Sequence, residues 1–369
     1  MRERNGRLGR RTLLGVLGAA AVAAATGCGR GDSGTDGGSD GSGGAASVPP
    51  GDPGEVLWRY RTGAASRGGA AVANGLVHCG YGETTCALRL TDGELEWKTV
   101  SGPSMSRPAT DGGTLYVTGS GTGNGGLTAM DAADGAERWT YSIPDHAVFA
   151  APRVHDGTVY LGGLDAQVHA LNAASGDLRW TAPAGGQIFG GVAVADGTLY
   201  VGGGEVLHAL DLTDGSERWR FTAAGRFTEP TVAGDLVLAG STDDTRLYAV
   251  DAATGDERWS VRMPGGPASV TASDGTVHAS SRGGTLLGLD PATGEERWRA
   301  VAARDNSPVA AADGTVWHAA PGDRVQALDA ATGEELWQYD AGATVFHLTV
   351  TDGALIVGTA DSPAIALAR

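Results

Sequence analysis

The apolar residues of this chain fall in short alternating runs, not in helical stripes. Residues 190–219 show the unit: VAVA at 192–195, the turn Asp196-Gly197, TLYVG at 198–202, VLHALDL at 206–212, the turn Asp214-Gly215, then the start of SERWRFTA at 216–223. Alternation over so few residues, each run stopped by Gly or Asp, predicts four short strands joined by tight turns. The body carries no apolar residues at helical spacing. Short antiparallel strands at even spacing make a sandwich, a barrel or a propeller.

Tryptophan decides among the three. Trp58, Trp97, Trp139, Trp180, Trp219, Trp259, Trp298 and Trp337 recur at intervals of 39, 42, 41, 39, 40, 39 and 39 residues, each closing a Gly-x-x-x-Trp segment, while Trp317 is off the beat. A period of about 40 residues with four strands per unit selects the propeller. Three-strand sets fall near 70–90, 108–131, 151–172, 190–211, 229–251, 268–290, 308–329 and 346–368, which makes eight. The first seven are each followed by a tryptophan strand. The eighth reaches Arg369 with none, and Trp58 precedes the first set. The expectation is an all-β, eight-bladed propeller of four-stranded antiparallel blades. Its ring is closed by the Trp58 strand joining the last blade, which leaves no open edge.

The segment before each tryptophan reads LDAADGAERW, LNAASGDLRW, LDLTDGSERW, VDAATGDERW, LDPATGEERW and LDAATGEELW, with Arg89 in the Asp position of LRLTDGELEW. These segments closely resemble the tryptophan-docking motif of the PQQ-like (quinoprotein-type) β-propeller repeat family, along the whole of 55–369. In physical terms, Gly takes a positive-φ turn, Asp can hydrogen-bond the local backbone before it, and Trp offers a flat surface to the neighbouring blade. The quinone-dependent alcohol dehydrogenases of this family hold PQQ and calcium on the propeller axis, inside pockets built by long insertions. Here no blade has a spare insertion and no cluster aligns with their calcium ligands, so no catalytic residue, metal ligand or cofactor is expected. Asp243 and Asp244 fall at a hairpin tip, where solvated carboxylates are the ordinary case. No nucleophile elbow, phosphate loop or zinc spacing is present.

The ends add an address. Arg2, Arg4, Arg7, Arg10 and Arg11 precede a short apolar run, and ATGC follows at 25–28. Residues 1–27 read as an export signal, similar to the twin-arginine type, with a lipobox that makes Cys28 the lipidated first residue. A plain cleaved signal with a bystander cysteine is the alternative. Residues 28–54, nearly all Gly, Ser, Asp, Ala and Pro, read as a disordered tether before the propeller at 55–369. Anchor and repeat together resemble the BamB-like lipoprotein propellers, which places the protein on the outer side of the cytoplasmic membrane or in the periplasm. Beyond residue 27 the chain has 22 basic and 42 acidic residues, a net of −20. That charge argues against nucleic acid as a partner.

Cys79 and Cys86 flank a hairpin with Gly82-Glu83 at its tip, which sets them face to face. In an exported chain this is a candidate disulfide; two small buried residues are the alternative.

The residues just before each inner strand do not repeat. One column reads Arg67, Met105, Phe149, Phe189, Phe227, Pro267, Asn306 and Val345, and two positions on it reads Gly69, Arg107, Ala151, Gly191, Glu229, Ser269, Pro308 and His347. Packing does not require this variety. Arg67, Arg107, Phe149, Phe189, Phe227, Glu229, Asn306 and His347 are therefore the candidate binding surface at the mouth of the central channel. Channel-lining side chains that hold water are the plainer reading. Three functions follow. The first is a non-catalytic, monomeric scaffold or envelope-assembly factor that binds other envelope or secreted proteins. The second is a small-ligand sensor, and the third, least supported, is a PQQ-dependent oxidoreductase.

Overall fold

The computed structural model describes Val48 and residues 50–102, 106–120, 124–305 and 307–369. The expected export signal, Cys28 and most of the expected tether lie outside the described residues. The rest forms eight four-stranded antiparallel sheets. In chain order, blades 1 to 7 span residues 70–100, 109–144, 153–183, 193–222, 231–262, 267–301 and 309–340. Blade 8 takes three strands from 345–368, and its outer strand is Val56–Tyr60. Trp58 opposes Ala366 there and Tyr60 opposes Ala364, so the ring closes as the tryptophan count requires. Just ahead of this strand, the Gly54 amide already donates to Ala368 O at 2.9 Å.

The docking motif works between blades. Seven of the eight tryptophan indoles donate to a carbonyl of the next blade: Trp58 to Leu90, Trp97 to Ala132, Trp139 to Ala173, Trp180 to Leu212, Trp219 to Ala252, Trp259 to Pro291 and Trp298 to Ala330. The ring also lies against the motif glycine of that blade. A β-carbon at Gly255 would stand 2.8 Å from the Trp219 ring, and one at Gly294 2.7 Å from Trp259. The series ends with Gly54 over Trp337, so blade 8 docks by the same contact. The glycine thus answers to two demands: φ near 80° at Gly255, and room for the neighbour's indole. A small residue faces each tryptophan across its own blade, such as Ala209 opposite Trp219 and Gly288 opposite Trp298.

The motif aspartate has two tasks. One oxygen of Asp211 accepts the Thr213 amide at 2.8 Å and the other accepts Arg218 at 2.6 Å. Asp131–Arg138 and Asp290–Arg297 repeat the ion pair. The Arg218 hydrogen bond is the main reason the Asp211 carboxyl is lowered to about 2. Blade 1 carries the pair reversed. Arg89 holds the Asp position and meets Glu96, in the Arg position, at 2.6 Å, with Asp92 and Glu94 beside it.

Cys79 and Cys86 are opposed, and Gly82-Glu83 forms the tip between Tyr81 and Thr84. Both are fully buried, their sulfurs 3.3 Å apart. The register places the sulfurs in contact, but they remain farther apart than the ~2.05 Å of a disulfide.

Candidate functional site

The antiparallel order divides the ring into two faces. The turns from the first to the second strand of each blade, and from the third to the fourth, open on one face. The loops between blades and the middle hairpins open on the other, which carries the channel mouth. The first face is largely repetitive. Its tight turns use Asp156-Gly157, Asp196-Gly197, Asp274-Gly275 and Asp313-Gly314, with Asp φ of 44–49°. Positive φ at both central residues is the hairpin turn that matches strand twist.

The mouth face holds the irregular residues, and the structure sorts them. Arg107 from blade 2 and Glu229 from blade 5 reach each other across the channel, with 3.7 Å between Nη2 and Oε1. Each lies over a glycine of the preceding blade. A β-carbon at Gly69 would stand 3.0 Å from Arg107 Cβ, and one at Gly191 2.9 Å from Glu229 Oε1. The pairing of Gly69 with Arg107 and of Gly191 with Glu229 in the sequence column therefore has a steric cause. Arg67 is exposed, and its guanidinium sits 5.2 Å from the centre of the Phe346 ring. Phe189 is 45% exposed under Arg226, whose guanidinium is 5.8 Å from its ring centre. Phe149 is half-buried.

Two expected surface residues are internal instead. Phe227 is buried against Phe221 and Tyr248, with ring centres 6.1 Å apart in each case. Its backbone bridges to Ser241, which turns the ring into the blade. His347 is also buried. Its Nε2 lies 3.2 Å from Ser66 Oγ, and a β-carbon at Gly358 would overlap its ring. A register shift between Val345 and His347 accounts for this, because one extra residue reverses which face a side chain takes. Burial, with Arg107 adding to it, lowers His347 to about 4. Met105 and Asn306 lie outside the described residues.

Sequence reasoning missed Arg153. It follows Ala151 by two positions on the inner strand Arg153–His155. The equivalent residues of the other blades are Ala71, Ala109, Ala193, Thr231, Thr271, Ala310 and Thr349, so one arginine stands in a ring of alanines and threonines. Extending the column alignment by two residues finds it. Arg153 is exposed to the channel yet ringed by protein. Lost hydration and the charge of Arg107 hold its guanidinium below the usual value, while Glu229 acts in the opposite sense. Among the described residues it makes no hydrogen bond or ion pair.

A separate depression of about 490 Å³ lies on the same face between blades 6, 7 and 8, lined by Gly283, Arg304, Pro321, Asp323 and Thr344 among others. It contains none of the channel-crossing charges.

A family model described as "Outer membrane protein assembly factor BamB" matches residues 46–187, 164–307 and 282–369. The chain belongs to this BamB family. Among curated relatives, it is 28% identical to BamB of Yersinia pestis over 212 residues, 52% of each chain. It is 35% identical to the serine/threonine-protein kinase AfsK of Streptomyces griseus over 167 residues, 41% of this chain and 20% of the kinase. The matches thus span about half of one relative and a fifth of the other. The BamB crystal structure from Moraxella catarrhalis superposes with a TM-score of 0.63 at 19% identity, over 87% of this chain and 92% of that one. The quinohemoprotein alcohol dehydrogenase of Comamonas testosteroni superposes at 0.68 with 15% identity, over 85% and 76%. At such identities the two structures speak to the fold of this BamB-family chain alone.

The dehydrogenase fold raises the question of PQQ and calcium. Calcium takes six to eight oxygen ligands, several of them carboxylates. The mouth offers Glu229, which faces Arg107 and feels Arg153. Among the described residues no three His, Cys, Asp or Glu side chains are grouped to hold a metal ion. This donor set does not match calcium's.

Proposed function

We propose that this chain is a non-catalytic, extracytoplasmic scaffold of the envelope, seated on partner proteins through its mouth face. The division of labour between the faces carries the reading. The repeated residues are engaged in docking one blade on the next, down to the indole N–H of each tryptophan from Trp58 to Trp298. The mouth face instead presents unrepeated, exposed Arg67, Arg107, Phe189 and Glu229. Arginine and aromatic side chains are enriched where proteins bind proteins. Family membership supports an envelope-assembly role, and lipid attachment at Cys28 would hold the ring near the membrane.

Site-specific photocrosslinking in intact cells tests this. A crosslinker at Phe189 or Arg67 should give discrete protein adducts, and one at Glu334 on the turn face should give none. Adducts from Glu334 alone would overturn the reading. A small-ligand sensor is the second reading, favoured by the unpaired guanidinium of Arg153 inside the channel.

A further inference from the structure

The arginines of the two faces differ in how far their donors are used. On the turn face Arg138 donates to Thr114 and Asp131 at 2.7 and 2.8 Å. Arg297 donates to Gly275 O, Thr276 and Asp290 between 2.6 and 2.9 Å. At the mouth, Arg107 has the loose 3.7 Å contact with Glu229, well beyond the roughly 2.8 Å of a charge-assisted hydrogen bond. Arg153 has no hydrogen bond or ion pair among the described residues, and Arg67 has the face of Phe346. Each guanidinium carries five N–H donors in a fork that matches a carboxylate. Around the channel, Arg67, Arg107 and Arg153 therefore face the single carboxylate of Glu229, while Arg226 over Phe189 is matched by Asp243 at 3.7 Å, inside a protein with a strong acidic excess. Half-buried Phe149 and exposed Phe189 flank this excess with apolar surface on blades 3 and 4.

We infer that the channel mouth is a carboxylate-binding site, in which Arg107 and Arg153 grip the anion, Glu229 is displaced from Arg107, and an apolar or aromatic group beside the carboxylate rests on Phe149 and Phe189. Glu229 then serves as a built-in competitor that holds Arg107 across the channel until a ligand takes its place. The inference rests on reading the mouth as the recognition face. It names the chemistry that face would select: a free aromatic acid, or the carboxylate end of a partner chain.

Binding of N-acetylphenylalanine, of its amide, and of a hexapeptide ending in phenylalanine with a free carboxylate would be measured by calorimetry on the full folded chain. The acid should bind at least about tenfold more tightly than the amide, because a hydrogen-bonded charge is worth about that much. Arg153→Gln should lose a similar factor. Glu229→Gln should tighten binding several-fold, which a merely structural glutamate would not do. A hexapeptide stronger than the free acid assigns the site to a chain end, and equal affinities assign it to a small acid. Equal binding of acid and amide, or weaker binding by Glu229→Gln with an unchanged melting temperature, would overturn the inference. The outcomes stay separable from the scaffold reading. Crosslinks at Phe189 that persist without carboxylate preference leave the scaffold standing and remove the carboxylate. Carboxylate binding without protein adducts does the reverse.

Discussion

The two faces of this ring are built from the same eight units and follow opposite rules. On the turn face, the aspartate and arginine recur because they make the same contact in blades 2, 4, 5 and 6. Asp211 caps its turn and pairs with Arg218, and Asp290 does the same with Arg297. On the mouth face, equivalent positions hold Arg107, Ala151, Gly191 and Glu229, and the Arg107–Glu229 pair runs across the channel in addition to contacts between neighbours. Repetition marks what the fold needs, and its breakdown marks where the fold leaves a position free.

Substitutions sharpen the contrast. The largest effect belongs to the docking tryptophans. Trp259→Ala removes an indole held between two blades and its hydrogen bond to Pro291 O, and should cost about 3–5 kcal/mol of unfolding free energy in denaturant titration. A loss comparable to that of a surface change would break the claim that repeats are structural.

Next comes acid. Burial lowers His78 and His278 from 6.5 to about 4. The unfolded chain takes up these protons first. Stability is therefore full above pH ~6.5 and falls as pH drops toward the folded value near 4, by up to about 3 kcal/mol for each histidine. Three other blades place Tyr116, Tyr160 and Tyr200 at this position, stacked on their own tryptophans, with the hydroxyl on the same carbonyl as the indole. His278→Tyr should remove its share of the acid sensitivity while keeping stability at pH 7, as urea titrations at pH 7 and 4.5 would show.

The reversed pair of blade 1 gives a smaller effect. Arg89→Asp sets a fourth carboxylate beside Asp92, Glu94 and Glu96, and should lower the melting temperature. Adding Glu96→Arg should restore it, because the double change recreates the order of blades 2, 4, 5 and 6. Smallest of all, Arg107→Gln with Glu229→Gln should move stability by no more than about 0.5 kcal/mol, since exposed ion pairs contribute little. A large loss there would mean that the mouth is structural too.

The sequence made the docking face nearly complete to the reader, because period, glycine, aspartate and tryptophan each recur. Even the reversal at Arg89 was visible, though its partner Glu96 was not. The mouth was legible as a location and not as an arrangement. A column of aligned positions fixes where a Cα falls along a strand but not which way its side chain points. Thus Phe227 and His347 belonged to the column yet turned inward, one by an isolated bridge and the other by a register shift. Arg107 and Glu229 were both singled out, but their meeting across the channel depends on side-chain reach between blades three apart. Arg153 was readable two residues further on, where an arginine interrupts a run of alanine and threonine.

The outer strand of blade 8 gives the ring a seam. Every other blade is assembled from consecutive residues and can order itself as soon as its forty or so residues are free to pair. The seam joins Val56 to Leu367, which are 311 positions apart. Closing a loop of that length costs about 2 kcal/mol more entropy than closing a single repeat. An open arc of seven blades can therefore grow by neighbour contacts, while the clasp waits for the chain's two distant segments to find each other. Completion of the circle is then an event separate in time from formation of its parts.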